Sequence, residues 1–137
     1  MSKGLIACKG IAIGKTYILE KEKISIKDET SDDIESSLKD LDRALKQSEV
    51  ELKHLIETSQ HADIFDAHLS ILQDIELFEL STNFIKDEKN TAAFAYKKAT
   101  DHFIEIFNQL EDEYFKERAL DIKDIQYRVL CHLLGIP

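Results

Sequence analysis

The residues with the plainest chemical suggestion lie near the start of the chain. Gly10-Ile-Ala-Ile-Gly14-Lys15-Thr16 has the residue types of a phosphate-cradling loop. Its glycines, however, are one residue too close together. Thr16-Tyr17-Ile18-Leu19 also reads as a strand, whereas a phosphate loop must open a helix whose N–H groups face the anion. The segment is read as a glycine-punctuated strand pair. Glu51-Leu-Lys-His54 has the Glu-x-x-His spacing of a di-iron bundle, but that centre needs two such pairs and further inward glutamates. The histidines His54, His61, His68, His102 and His132 lack zinc-ligand spacing, and so do Cys8 and Cys131. Ser70, two residues after His68, faces another side of a helix, so no nucleophile–base pair forms there. No catalytic residue and no metal ligand is assigned.

Charge carries the remaining signal. From His54 to Ile85 there is no Lys or Arg, yet Glu57, Asp63, Asp66, Asp74, Glu76 and Glu79 fall in this stretch. A solvated helix surface ordinarily mixes signs through i,i+4 pairing. Ile71, Ile75 and Leu77 sit among these acids, more apolar residues than an inward stripe requires. An acidic rim around an apolar centre is the anatomy of a docking face for a basic protein. The alternative is an acidic surface with no specific partner.

The elements that must hold such a face are helices. Neither Gly nor Pro occurs between Lys15 and Leu134, which excludes a turn-rich all-β domain. With 137 residues, 43% of them hydrophobic, the chain has the size and core of one domain. Eighteen basic against 27 acidic residues give a net charge of −9, which disfavours nucleic acid or an anionic membrane as partner. No run reaches membrane-span length and no signal-peptide core opens the chain. A cytoplasmic location with both cysteines as free thiols is expected.

Two short strands are predicted within Gly4–Leu19, then a charged linker with an edge strand at Ile24–Ile26. Thr30-Ser31-Asp32-Asp33 offers N-caps for a long helix to Glu57 or Thr58. Its seam, Ile34, Leu38, Leu41, Leu45, Ser48, Leu52 and Leu55, follows a seven-residue repeat. A second helix covers Ala62 to Gln73, with Ile64, Phe65, Leu69 and Leu72 inward. A third runs from Asp74 to Lys86, using Leu77, Phe78, Leu80, Phe84 and Ile85. Asn90-Thr91 caps a fourth, whose stripe is Ala92, Tyr96, Ala99, Phe103, Ile106 and Leu110. The last spans Lys116 to Leu134, with Ile122, Ile125, Val129 and Leu133 inward and Gly135 as its C′ residue. The expected fold is mainly α, an antiparallel four- to five-helix bundle with a short N-terminal β segment.

Three strings resemble one family, Enzyme I of the phosphoenolpyruvate–sugar phosphotransferase system. Gly4-Leu-Ile-Ala-Cys-Lys-Gly-Ile-Ala-Ile-Gly-Lys15 is similar to its opening G-I-A-A-S-P-G-I-A-x-G-K. Ile64-Phe-Asp-Ala-His68-Leu-Ser-Ile-Leu-Gln-Asp74 is similar to I-F-E-A-H-x-x-x-L-x-D. Glu111-Asp-Glu-Tyr-Phe-Lys-Glu-Arg118-Ala-Leu-Asp-Ile-Lys-Asp124 is similar to D-x-Y-x-x-E-R-A-x-D-x-R-D, the most specific of the three. Cys8-Lys9 stands in place of Ser-Pro, and Lys123 in place of an Arg.

The resemblance implies a phosphoryl-transferring parent that passes phosphate from phosphoenolpyruvate, with magnesium, through its own histidine to the carrier HPr. It divides the chain into 1–23, a strand segment of the phosphohistidine subdomain, and 24–137, the helical HPr-binding domain. It places HPr contacts at Asp63, Asp66, His68, Ile71, Asp74, Glu76, Leu77, Phe107 and Arg118. An intradomain ion pair is the alternative role for Arg118. The family's G-G-x-T-S-H motif and its carboxyl-terminal barrel, through which the family dimerises, are not found in the sequence. The chain alone is therefore expected to hold no cofactor and to be catalytically inactive. The competing reading is a structural helical hairpin that dimerises through the Ile34–Leu55 seam.

Overall fold

The computed structural model describes residues 29–136. They form five helices: α1 Ile34–Thr58, α2 Ala62–Leu72, α3 Ile75–Glu88, α4 Ala92–Asn108 and α5 Glu113–Leu134. The strands expected within Gly4–Leu19 and at Ile24–Ile26, and the 23/24 domain boundary, lie outside the described residues. Among the described residues, extended pairing is limited to one antiparallel bridge, Thr30 with Asn90. Ser31 N–H donates to the Lys89 carbonyl at 2.7 Å and Thr91 N–H to the Glu29 carbonyl at 3.1 Å. The chain ahead of α1 is thus pinned to the α3–α4 turn.

Short polar residues start most of the helices by accepting otherwise orphaned N–H bonds. Asp33 accepts from Ser36 N, Asp74 from Leu77 N, Thr91 from Phe94 N and Asp112 from Tyr114 N. The Asp112 cap starts α5 three residues before the expected Lys116. Gly135 closes α5 at φ 72°, and Ile136 N–H returns to the Cys131 carbonyl at 2.8 Å. The left-handed backbone there suits glycine, as its C′ position predicts.

The core draws on every helix, with Leu41, Leu52, Ile85, Tyr96, Ile125 and Val129 almost wholly buried. α5 packs chiefly on α4, and α1 on α2; α3 lies against α4, and α1 also meets α5. The α1 seam is consumed inside this bundle. Leu41, Ser48 and Leu52 are fully buried, while Ile34, Leu38, Leu45 and Leu55 pack against the core. That use removes the ground for a hairpin that dimerises through the seam.

Four residues expected to face inward do not. Ile64 in the first turn of α2, Ile106 in the last turn of α4, and Leu110 beyond it are 47%, 39% and 40% exposed. Periodicity assigns a face but not where the covering neighbour ends. Phe78, 43% exposed, follows Leu77 by one residue, and the buried line of α3 is Leu77, Ser81 and Ile85. Cys131 is buried and is not the free thiol expected: it is disulfide-bonded. Among the described residues no helix is long and apolar enough to cross a membrane.

Candidate functional site

A groove of about 190 Å³ opens where the end of α2, the start of α3 and the facing turns of α4 and α5 meet. Its position follows from the corner at Gln73-Asp74. Asp74 N–H donates to the Ile71 carbonyl at 3.1 Å, ending α2, while its carboxylate accepts from Leu77 N at 3.1 Å and starts α3. One residue thus sets Ile71 beside Leu77. Phe103 and Phe107 stand one turn apart on α4, Arg118 and Ile122 one turn apart on α5, and all four line the opposite walls. Phe107 is held by Phe115, with ring centroids 5.4 Å apart.

Six of the residues expected at a partner face line this groove: Ile71, Asp74, Glu76, Leu77, Phe107 and Arg118. Asp74 and Glu76 are exposed at its rim, and Phe107 and Arg118 are half-buried. The surplus apolar surface expected at Ile71 and Leu77 needs correction. They are only 5% and 4% exposed, so they form the floor of the groove as core residues. Ile75, 70% exposed, points instead into a second groove with Leu45, Leu72 and Phe78. Phe103 and Ile122, expected from periodicity only in the core stripes, also line the first groove.

Arg118 forms no hydrogen bond or ion pair among the described residues, so its alternative role as an intradomain ion pair is not realised there. Its guanidinium, five donors in a planar fork, faces an opening rimmed by carboxylates that do not bind it. The six acids of the one-signed stretch are all exposed.

Asp63 and Asp66 lie on the outer surface of α2, away from the groove lining. His68 is elsewhere again, buried between α2 and α5 at 6% exposure. Its Nε2 faces Asp121 Oδ1 at 3.3 Å and Asp124 Oδ2 at 3.7 Å. Burial pushes the imidazole below its usual range, and the two carboxylates only partly offset that. A separate tie joins α1 to α5: Glu51 Oε1 accepts from Arg128 Nη1 at 2.9 Å and lies 3.0 Å from His132 Nε2. Glu51 is therefore committed to α5 and not to His54, its neighbour in the Glu-x-x-His tetrapeptide.

Fold and groove together define a class, the helical bundle found at the amino terminus of Enzyme I proteins. The solution structure of Enzyme I (nEIt) superposes with a TM-score of 0.76 and 33% identity, covering 82% of this chain and 49% of that one. The N-terminal domain of Enzyme 1 – Nitrogen gives 0.75 and 26%, covering 85% and 50%. Residues 3–118 match the family described as PEP-utilising enzyme, N-terminal, and the chain belongs to that family. The phosphoenolpyruvate-protein phosphotransferase of Listeria monocytogenes is 41% identical over 98% of this chain and 24% of its own length. That of Staphylococcus aureus is 38% identical over 98% and 25%. The chain thus spans about a quarter of the length of these curated relatives.

Proposed function

We propose that this chain is the HPr-docking domain of a phosphoenolpyruvate–protein phosphotransferase, and that HPr seats in the groove between α2, α3, α4 and α5. The observation that carries this reading is Arg118, a half-buried guanidinium with no partner among the described residues, inside an acid-rimmed apolar groove. Asp74 and Glu76 meet the basic residues of the carrier, and Asp63 and Asp66, farther out, attract them at a distance. Ile71, Leu77 and Phe107 receive its apolar patch. Arg118 donates to a carboxylate or backbone carbonyl of the partner. In this reading the phosphoryl chemistry, its magnesium and the dimer contact lie with the rest of the phosphotransferase, in the cytoplasm.

Titration of ¹⁵N-labelled chain with HPr tests the proposal. Shifts should concentrate at 71–77, 103–107 and 118–122 and weaken as salt is raised. Shifts that avoid these segments, or no shifts at low salt, would sink it. Arg118→Ala should weaken binding by about tenfold or more, the loss of one charge-assisted hydrogen bond.

A further inference from the structure

A second constellation lies where α2 crosses α5, outside the groove. His68 comes from α2; Asp121 and Asp124 stand three residues apart on one face of α5. One ligand atom from each of the three lies within 4.8 Å of the others. His68 is more than nine-tenths buried, and its Nε2 is shut from solvent without a hydrogen-bond partner. Asp121 Oδ1 at 3.3 Å is in ion-pair range but does not meet the geometry of a ring N–H hydrogen bond.

The separations suit a coordination shell better. Two ligands about 2.0–2.1 Å from a tetrahedral zinc ion lie about 3.3–3.4 Å from each other. His68 Nε2 and Asp121 Oδ1 already have this spacing, and Asp124 Oδ2 lies 3.7 Å from the same nitrogen. We propose that His68, Asp121 and Asp124 form a site for a divalent cation of the zinc class, bound through Nε2 and one oxygen from each aspartate.

The donor set selects the ion. Two carboxylates match its charge, while the imidazole disfavours magnesium and calcium, which take oxygen ligands. The side chains of Asp121 and Asp124 are 29% and 33% exposed, which leaves a path for the ion and room for water at a fourth position. The neighbouring cation, Arg128, is held by Glu51. Ligand spacing within one segment does not reveal this set, which straddles two helices. A bound ion ties α2 to α5 one turn from Ile71 and beside Ile122, both part of the groove.

Calorimetry of the metal-free full chain with zinc chloride tests the proposal without reference to HPr. One ion per chain should bind and raise the melting temperature. Cobalt(II) should give a visible spectrum of nitrogen and oxygen ligation without a thiolate charge-transfer band. Asp121→Asn and Asp124→Asn, which keep side-chain shape, should each weaken zinc by at least about tenfold. His54→Gln, on an exposed position of α1, should leave binding unchanged. Absence of stoichiometric binding, a thiolate band, or full affinity in the double aspartate variant would overturn the site. Should His68→Gln fail to fold, the aspartate variants still decide.

Discussion

Tyr96 sits in the middle of α4 at 1% exposure, and its hydroxyl reaches no partner among the described residues. Burial pushes the phenol well above its usual range, so it is protonated at any physiological pH. A buried hydroxyl that gave up water without a replacement is a net cost, so its removal relieves the fold. Tyr96→Phe should raise stability by about 1 kcal/mol in urea unfolding; a loss of stability would reveal a partner for the hydroxyl. Glu51 presents the opposite case. Burial pushes its carboxyl up, but His132 and Arg128 together outweigh that and hold it below the ordinary carboxylate range. Its folded pKa is thus below its unfolded value of 4.5. The contribution is fully present above that value and is lost as pH falls through the folded one. Glu51→Gln should cost about 1–2 kcal/mol at neutral pH, because Arg128 then stays buried without its counter-ion. The variant should also lose less stability than the parent on acidification, which unfolding midpoints at pH 7 and pH 4 would show.

At the scale of elements, the α2–α3 corner joins stability to the proposed docking. Asp74 caps α3 and rims the groove, so Asp74→Ala should cost about 1 kcal/mol and also weaken HPr binding. Asp33→Ala removes an equivalent cap far from the groove and should cost similar stability with unchanged binding. Asp74→Asn keeps a capping oxygen and drops the charge, so stability should hold while association slows. If Asp74→Asn binds as fast as the parent, the rim charge does not steer. Local features of these elements were legible in the sequence. The α1 repeat, the caps at Asp33 and Thr91, and Gly135 each depend on a few adjacent residues and on rules that act along one helix. Ile64, Ile106 and Leu110 are exposed because their burial depends on where another helix stops, and Phe78 because it stands one residue off the buried line of α3. The groove was legible through motif resemblance more than through physics. Composition alone marks an acidic stretch but cannot tell that Ile71 is floor and Ile75 is not. His68 with Asp121 and Asp124 was invisible for a related reason, since only the packing of α2 on α5 brings them together.

At the scale of the molecule, the docking proposed above gives charge and apolar surface separate tasks. The chain carries −9 overall, and the stretch from His54 to Ile85 holds six of its acids, all exposed, with no Lys or Arg among them. Such a field acts beyond contact distance, out to a Debye length of about 8 Å at physiological salt. In the proposed complex it would accelerate encounter with a basic carrier and do little once the complex has formed. Asp63, Asp66 and Glu79 do not line the groove, so they belong to the steering part. Phe107, wedged between the groove and Phe115, belongs to the retaining part. Neutralising the three acids with Asn, Asn and Gln should therefore lower the association rate several-fold at low salt and leave dissociation near the parent value. The deficit should fade as salt is raised. Phe107→Ala should do the reverse, speeding dissociation by about tenfold or more with little change in association or in salt dependence. Stopped-flow kinetics across a salt series separates the two. If both variants altered dissociation alone, the acidic stretch would be contact surface and not a steering field.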